Sequence, residues 1–225
     1  MPARASVPLS AELGFRAHPW HGVSMGPDAP RVVTTYIEIV PTDTVKYEMD
    51  KTTGILRMDR PQQYSNVCPS LYGFIPRTLC AERVGALCAE RTGRKGIVGD
   101  GDPMDICVLT EKEISHGDVL VRAVPIGGLR MIDGSEADDK VIAVLQGDAV
   151  YGSFRDIADC PAGLVDRLRH YFLTYKQAPD RVSRTVEITH VYGRGEAHVV
   201  IGRSVEDYGA HLPEIRAKLA AARRV

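Results

Sequence analysis

Residues 99–110, Gly-Asp-Gly-Asp-Pro-Met-Asp-Ile-Cys-Val-Leu-Thr, set three carboxylates within six positions, directly before a run of apolar, strand-forming residues. Like charge at that density restricts what the chain can fold into. Two carboxylates about 5 Å apart at an effective dielectric near 20 repel by roughly 3 kcal/mol. Asp100, Asp102 and Asp105 must therefore take up protons or gather round a cation. All-oxygen donors favour hard cations, and a site that keeps several waters favours Mg²⁺ over Ca²⁺. A calcium loop of the EF-hand kind does not fit. With Asp100, Asp102 and Glu111 at loop positions 1, 3 and 12, position 5 is Met104, which carries no oxygen. Position 6, where the turn needs glycine, is Asp105. The Ile106–Leu109 run reads as strand instead. On these residues alone, an acidic surface turn stays open as the alternative.

The 225 residues suffice for one sizeable domain or two small ones. A net charge of −1 argues against a nucleic-acid or membrane-surface binder. No 18-residue apolar stretch suggests a membrane span, and polar residues and prolines interrupt the N-terminus where a signal peptide would need an apolar run. Cys68, Cys80, Cys88, Cys107 and Cys160 are odd in number and lack C-x-x-C spacing. They read as reduced thiols of a cytoplasmic protein.

Residues 1–31, rich in Pro, Gly and Ala, read as an N-terminal arm. His18 and His21 lack a third partner and read there as packing or capping groups rather than metal ligands. Strands are expected at 32–40, 44–49, 55–59, 104–110, 118–126, 128–132, 140–145 and 186–192. Pro161 opens a helix whose apolar stripe is Leu164, Leu168, Phe172 and Tyr175. A second helix covers roughly 194–209, and 210–225 forms a terminal helix or tail. The stretch 81–98 reads as an inserted surface loop. Short strands followed by helices indicate an α+β domain on an antiparallel sheet or small barrel.

Charge also stands where charge is costly. Glu38 interrupts the apolar strand Tyr36–Val40, so it must be paired or used. Lys46 and Glu48 are two apart and share a strand face, as do Asp138 and Lys140, which follow Asp133. Arg60 ends a strand, and Lys176 closes a helix where a cation suits the dipole. Each has a bland reading as a surface salt bridge, helix-end cation or solvated turn. Together, acids able to bind metal and cations on rigid elements suit a substrate that carries phosphates. No P-loop and no Gly-x-Gly-x-x-Gly is present, which argues against a nucleotide cradle of either common kind.

At this point the chain resembles the family I soluble inorganic pyrophosphatases. The resemblance rests most specifically on Asp-Gly-Asp-Pro-Met-Asp at 100–105. It continues through Tyr-Ile-Glu-Ile (36–39), Val-Lys-Tyr-Glu-Met-Asp-Lys-Thr-Thr-Gly-Ile-Leu (45–56), Met-Asp-Arg (58–60) and Leu-Tyr-Gly-Phe-Ile (71–75). Gly-Leu-Arg-Met-Ile-Asp (128–133), Asp-Asp-Lys (138–140) and His-Tyr-Phe-Leu-Thr-Tyr-Lys (170–176) complete it. It implies an arm at 1–31, a catalytic domain over 32–209 with the insertion at 81–98, and a C-terminal helix or tail. The implied fold is a five-stranded OB-like antiparallel barrel with flanking helices.

The implied activity is hydrolysis of diphosphate to two orthophosphates with Mg²⁺, by in-line attack of a metal-activated water, in a homo-oligomer that is a hexamer or a dimer. By motif match, Asp100, Asp105 and Asp138 would hold a first metal, with Asp105 also facing a second. Asp133 and Asp138 would take a third that arrives with substrate, Glu48 would serve another, and Glu38 would act through water. Lys46, Arg60, Tyr72, Lys140, Tyr175 and Lys176 would contact phosphates, and Asp102 would be the general base. Two positions depart from the pattern: Cys68 stands where many members have Tyr, and Gly134 where Glu often follows the Asp matching Asp133. From another class, a silent OB-like module for single-stranded nucleic acid would need a basic, aromatic groove, against which the acid cluster speaks. A hydrolase acting on nucleotides or polyphosphate also stays open.

Overall fold

The computed structural model describes residues 16–176 and 186–222. Ten strands follow in chain order: β1 Val33–Ile39, β2 Val45–Met49, β3 Leu56–Pro61, β4 Leu71–Phe74, β5 Val98–Gly99, β6 Asp105–Leu109, β7 Val119–Asp133, β8 Glu136–Ala137, β9 Lys140–Leu145 and β10 Val186–Gly193. Three helices join them: α1 Glu82–Thr92, α2 Ala162–Thr174 and α3 Arg194–Ala222. The class is α+β. Strands pair in the order β1-β4-β6-β9-β7, and β7 returns to β1, so five strands form a closed ring. The expected antiparallel sheet needs correction: β5 and β8 run parallel, and so do β6 and β9, with Asp105 opposite Lys140. That pairing places an acid and a base side by side at the ends of two strands. The hairpin β2–β3 forms a separate two-stranded sheet.

Strand β7 corresponds to two expected strands, 118–126 and 128–132, with a break at Gly127. It is one strand of 15 residues, with a bulge between Pro125 and Gly127 where it pairs with β9. The glycines are there for space and not for a turn. A Cβ on Gly127 would meet the Tyr192 carbonyl oxygen at 2.4 Å, and one on Gly128 the Tyr192 ring at the same distance. Strand β10 pairs antiparallel alongside, with Tyr192 opposite Gly128, and leaves no room for a side chain at either glycine.

The 81–98 stretch is not simply a surface loop. It contains α1, whose Val84, Leu87 and Cys88 fall at i, i+3 and i+4 and bury one stripe in the main core. Gly93 ends it in the left-handed conformation. Its N-terminus is closed by a distant group: Asp207 on α3, fully buried, accepts from the amides of Ala81, Arg83 and Val84 at 3.0–3.1 Å. Nothing local in the sequence announces such a cap.

The expected break near 209, with a separate terminal helix or tail beyond it, is likewise corrected. Helix α3 is continuous through Pro213, and Tyr208, Leu212 and Ile215 pack into one apolar cluster with Trp20, Tyr36 and Phe74. That packing offsets the hydrogen bond proline removes. The described part of the arm is tied down by the same cluster, with Trp20 Nε1 donating to the Thr78 carbonyl at 2.7 Å. His18 Nδ1 accepts from the Trp20 amide at 3.2 Å, and His21 Nδ1 meets the Tyr208 hydroxyl at 3.0 Å. Both histidines serve as packing and capping groups. All five cysteines are buried and unpaired.

Candidate active site

The ends of β4, β6, β7 and β9 open into one cleft of about 190 Å³. Of the expected site residues it brings together Glu38, Lys46, Glu48, Tyr72, Asp100, Asp102, Asp105, Asp133, Asp138, Lys140, Tyr175 and Lys176. Arg60 does not line it. It stands at the margin, its guanidinium 5.9 Å from the Tyr175 ring centroid and 3.7 Å from Asp59. Three polar lining residues were not expected: Lys51, Glu136 and Tyr171.

Lys46 on β2 reaches Glu48 at 3.1 Å and Asp59 on β3 at 3.3 Å. Burial works against its charge, but Glu48 and Asp59 outweigh burial and raise its pKa. Lys176 bonds Asp133 at 2.7 Å; burial again opposes, while Tyr175 and Asp133 push its pKa up to about 12. At the centre Lys140, only 2 % exposed, contacts both Asp105 and Asp138. Desolvation disfavours its charge, yet the two carboxylates hold it firmly as an ammonium. The Tyr72 hydroxyl donates to Asp105 at 2.6 Å. Lys51, at the turn after β2, contacts the Asp102 carboxylate. The Asp100 carboxylate accepts from the Asp102 amide at 2.9 Å, which folds the acidic loop onto itself.

Desolvation lifts Asp100 to about 8, with Asp138 adding repulsion. Burial lifts Glu38 to about 8 as well, against the Met49 amide that donates to it at 2.7 Å. Asp138 is raised by burial despite Lys140. The lining counts eight carboxylates against four ammonium groups. A pocket with that balance repels an anionic substrate unless cations enter with it. The donors are all oxygen, which suits a hard divalent ion. Among the described residues no three acids already converge on one point, and Lys140 holds the place between Asp105 and Asp138.

Both departures acquire a physical account. Gly134 has φ +64° in the two-residue turn that joins β7 to β8, where a glutamate would be strained. The turn instead sets Glu136 opposite Asp133, at the cleft. Cys68 is fully buried in the cluster with Leu168, Tyr171 and Phe172 and does not line the cleft. A signal for Lys51 was available, since Asp50-Lys51-Thr52-Thr53-Gly54 is a hairpin turn between two site-bearing strands. Tyr171, one turn before Tyr175 on α2, could have been found by helical spacing.

An α+β ring whose strand ends converge on acids and lysines defines an enzyme for a phosphate-bearing substrate. Comparison with known proteins gives the family. The inorganic pyrophosphatase family model matches residues 35–209. An inorganic pyrophosphatase of Chlamydia trachomatis is 50% identical over 196 residues, covering 85% of this chain and 94% of the relative. A soluble inorganic pyrophosphatase of Oryza sativa is 39% identical over 198 residues, covering 88% and 82%. The crystal structure of inorganic pyrophosphatase from Thermus thermophilus superposes with a TM-score of 0.71 at 30% identity, covering 86% of this chain and 99% of that one. The chain belongs to the family I soluble inorganic pyrophosphatases, which are metal-dependent hydrolases. No helix among the described residues is long and apolar enough to cross a membrane.

Proposed function

We propose that this chain hydrolyses inorganic diphosphate to two orthophosphates with Mg²⁺, by in-line attack of a water whose proton Asp102 accepts. The surplus of carboxylates over lysines in one cleft carries this reading, because it makes a divalent cation a condition for admitting a polyanion. Asp100, Asp105 and Asp138 would hold such ions centrally, Asp133 one shared with substrate, and Glu48 another, with Glu38 acting through water. When bound, the ions neutralise phosphate oxygens and lower the pKa of water from about 15.7 towards 7.

The chain's own groups supply the rest. Lys140 keeps its proton in the interior and offers a full charge to a phosphate oxygen. Lys46, Lys176 and Arg60 meet the oxygens of the two phosphates, and the Tyr72 and Tyr175 hydroxyls donate to them. Lys51 touches the Asp102 carboxylate and orients it. Because these groups stand on strands, a turn and a helix end, the reacting atoms are placed before binding. We read the strand ring as an OB-like barrel and 32–209 as the catalytic domain. We also assign the enzyme to the cytoplasm, as a hexamer or dimer of identical chains.

Phosphate release from diphosphate, with Mg²⁺ and with Mg²⁺ plus chelator, tests the reaction; release that ignores the chelator refutes it. Asp102→Asn tests the base. Turnover should fall about 10²–10⁴-fold while calorimetric Mg²⁺ affinity holds, and the loss should shrink at high pH. If metal binding disappears as well, Asp102 is a ligand and the base lies elsewhere.

A further inference from the structure

Directly behind the cleft lies a second set of charges that the reaction does not use. Asp139, between Asp138 and Lys140, is 3 % exposed and points the other way, into the interior. Arg130 on β7, 1 % exposed, places Nε 3.1 Å from Asp139 Oδ2 and Nη2 2.8 Å from Glu196 Oε1 on α3. The Tyr192 hydroxyl on β10 donates to Asp139 Oδ2 at 3.2 Å, and the guanidinium lies 5.1 Å from the Tyr192 ring centroid. Arg91 on α1 also binds Glu196, at 3.0 Å. None of these residues lines the cleft.

A set like this is a poor device for stability. Taking an ion pair out of water costs about what the pair returns, and apolar residues of the same volume often do as well or better. Here the cost is larger still, because Asp139 Oδ1 has no hydrogen-bond partner. What the set does provide is direction. Successive side chains of an extended segment point to opposite faces. A carboxylate fixed rearward at 139 therefore fixes 138 and 140 forward, and the Asp138 amide, bound to the Met131 carbonyl at 3.0 Å, holds the segment's register.

We propose that Arg130, Asp139 and Glu196 are positioning residues that aim Asp138 and Lys140 into the cleft from behind. The inference rests on the reading above, in which Asp138 holds a cation and Lys140 meets phosphate. Outer partners of metal ligands, when removed, typically cost 10–100-fold in metal affinity or activity. Three variants of the full chain separate aim from packing: Asp139→Asn, the apolar pair Arg130→Met with Asp139→Leu, and Glu196→Gln. Each is measured for melting temperature without metal, Mg²⁺ affinity by calorimetry, and kcat and KM. All variants and the parent are measured at one pH.

The Asp139→Asn protein should bind Mg²⁺ about 10–100-fold more weakly. The apolar pair should restore the melting temperature without restoring that affinity. Glu196→Gln, which changes only a partly exposed group, should shift Mg²⁺ affinity in the same direction by less and leaves the proposal testable if the other two do not fold. Mg²⁺ affinity and kcat matching the parent in every variant that folds overturns the positioning role. A parent that neither binds Mg²⁺ nor hydrolyses diphosphate overturns the underlying reading as well, and the two failures are told apart by the parent alone.

Discussion

The cleft and the aromatic cluster around Trp20 share strand β4 and the region of Phe74, and they treat polar groups in opposite ways. In the cluster the main polar groups are answered: Trp20 Nε1 by the Thr78 carbonyl, His21 by the Tyr208 hydroxyl, and the Trp20 carbonyl by the Arg77 amide at 2.9 Å. In the cleft eight carboxylates face four lysines, and burial lifts Asp100 and Glu38 to about 8, with neighbouring carboxylates adding to it. Polar groups matched at home hold the fold, whereas polar groups left in excess wait for something to arrive. Substitutions in the two regions should therefore separate activity from stability.

The largest separation is expected at Asp105, which contacts both Lys140 and the Tyr72 hydroxyl. Asp105→Asn should lower diphosphate turnover by more than about 10²-fold, beyond what an outer partner of a metal site costs, with markedly poorer Mg²⁺ binding by calorimetry. Wild-type affinity and turnover in that variant would remove Asp105 from the metal set. The comparison inverts at Trp20. Trp20→Ala should cost about 3–5 kcal/mol in denaturant unfolding, while turnover per folded molecule stays that of the parent. If turnover falls and stability does not, the cluster is no mere clamp.

A smaller effect concerns pH. Burial lowers His21 to about 4, below its ordinary 6.5, and His18 adds repulsion. The unfolded chain then binds a proton that the folded one refuses. Stability is full above 6.5 and falls as pH drops from 6.5 towards about 4, by less than the whole shift would give because the half-buried ring is partly screened by solvent. Denaturant melts at pH 7 and pH 5 should show this slope, and His21→Gln should flatten it; an unaltered slope assigns it to other groups. Smallest of all is the exposed Arg16–Asp118 pair at 2.6 Å. Arg16→Ala should change stability by about 0.2–1 kcal/mol and less at high salt, and a larger loss would put the arm among the main holds of the fold.

The acidic loop, the paired charges on β2 and at the start of β9, and most strands could be read in the chain because their signals are local. Asp100, Asp102 and Asp105 sit within six residues, and Lys46 and Glu48 are two apart. What stayed hidden depends on distant chain. Gly127 looks like a break between two strands until β10 is seen paired against it and Gly128. Helix α1 starts on the Asp207 carboxylate from more than a hundred residues later. Its own stripe of Val84, Leu87 and Cys88 was legible at i, i+3 and i+4, although the 81–98 stretch reads as a surface loop. Glu136 reaches the cleft only because Gly134 permits a two-residue turn.

The ring has a consequence for how the chain folds. Strand β7 hydrogen-bonds to β1, β8, β9 and β10, and its pair Val33–Ala123 joins residues ninety apart. Contacts of that range form late, since the entropy of closing the intervening loop is lost before they return anything. Asp105, Asp133 and Lys140 belong to β6, β7 and β9, and the cleft they line is assembled by the docking of those strands on one another. During refolding, then, hydrolysis should return with the last strand and not in proportion to the structure regained, because a chain with an open ring holds no fraction of a site.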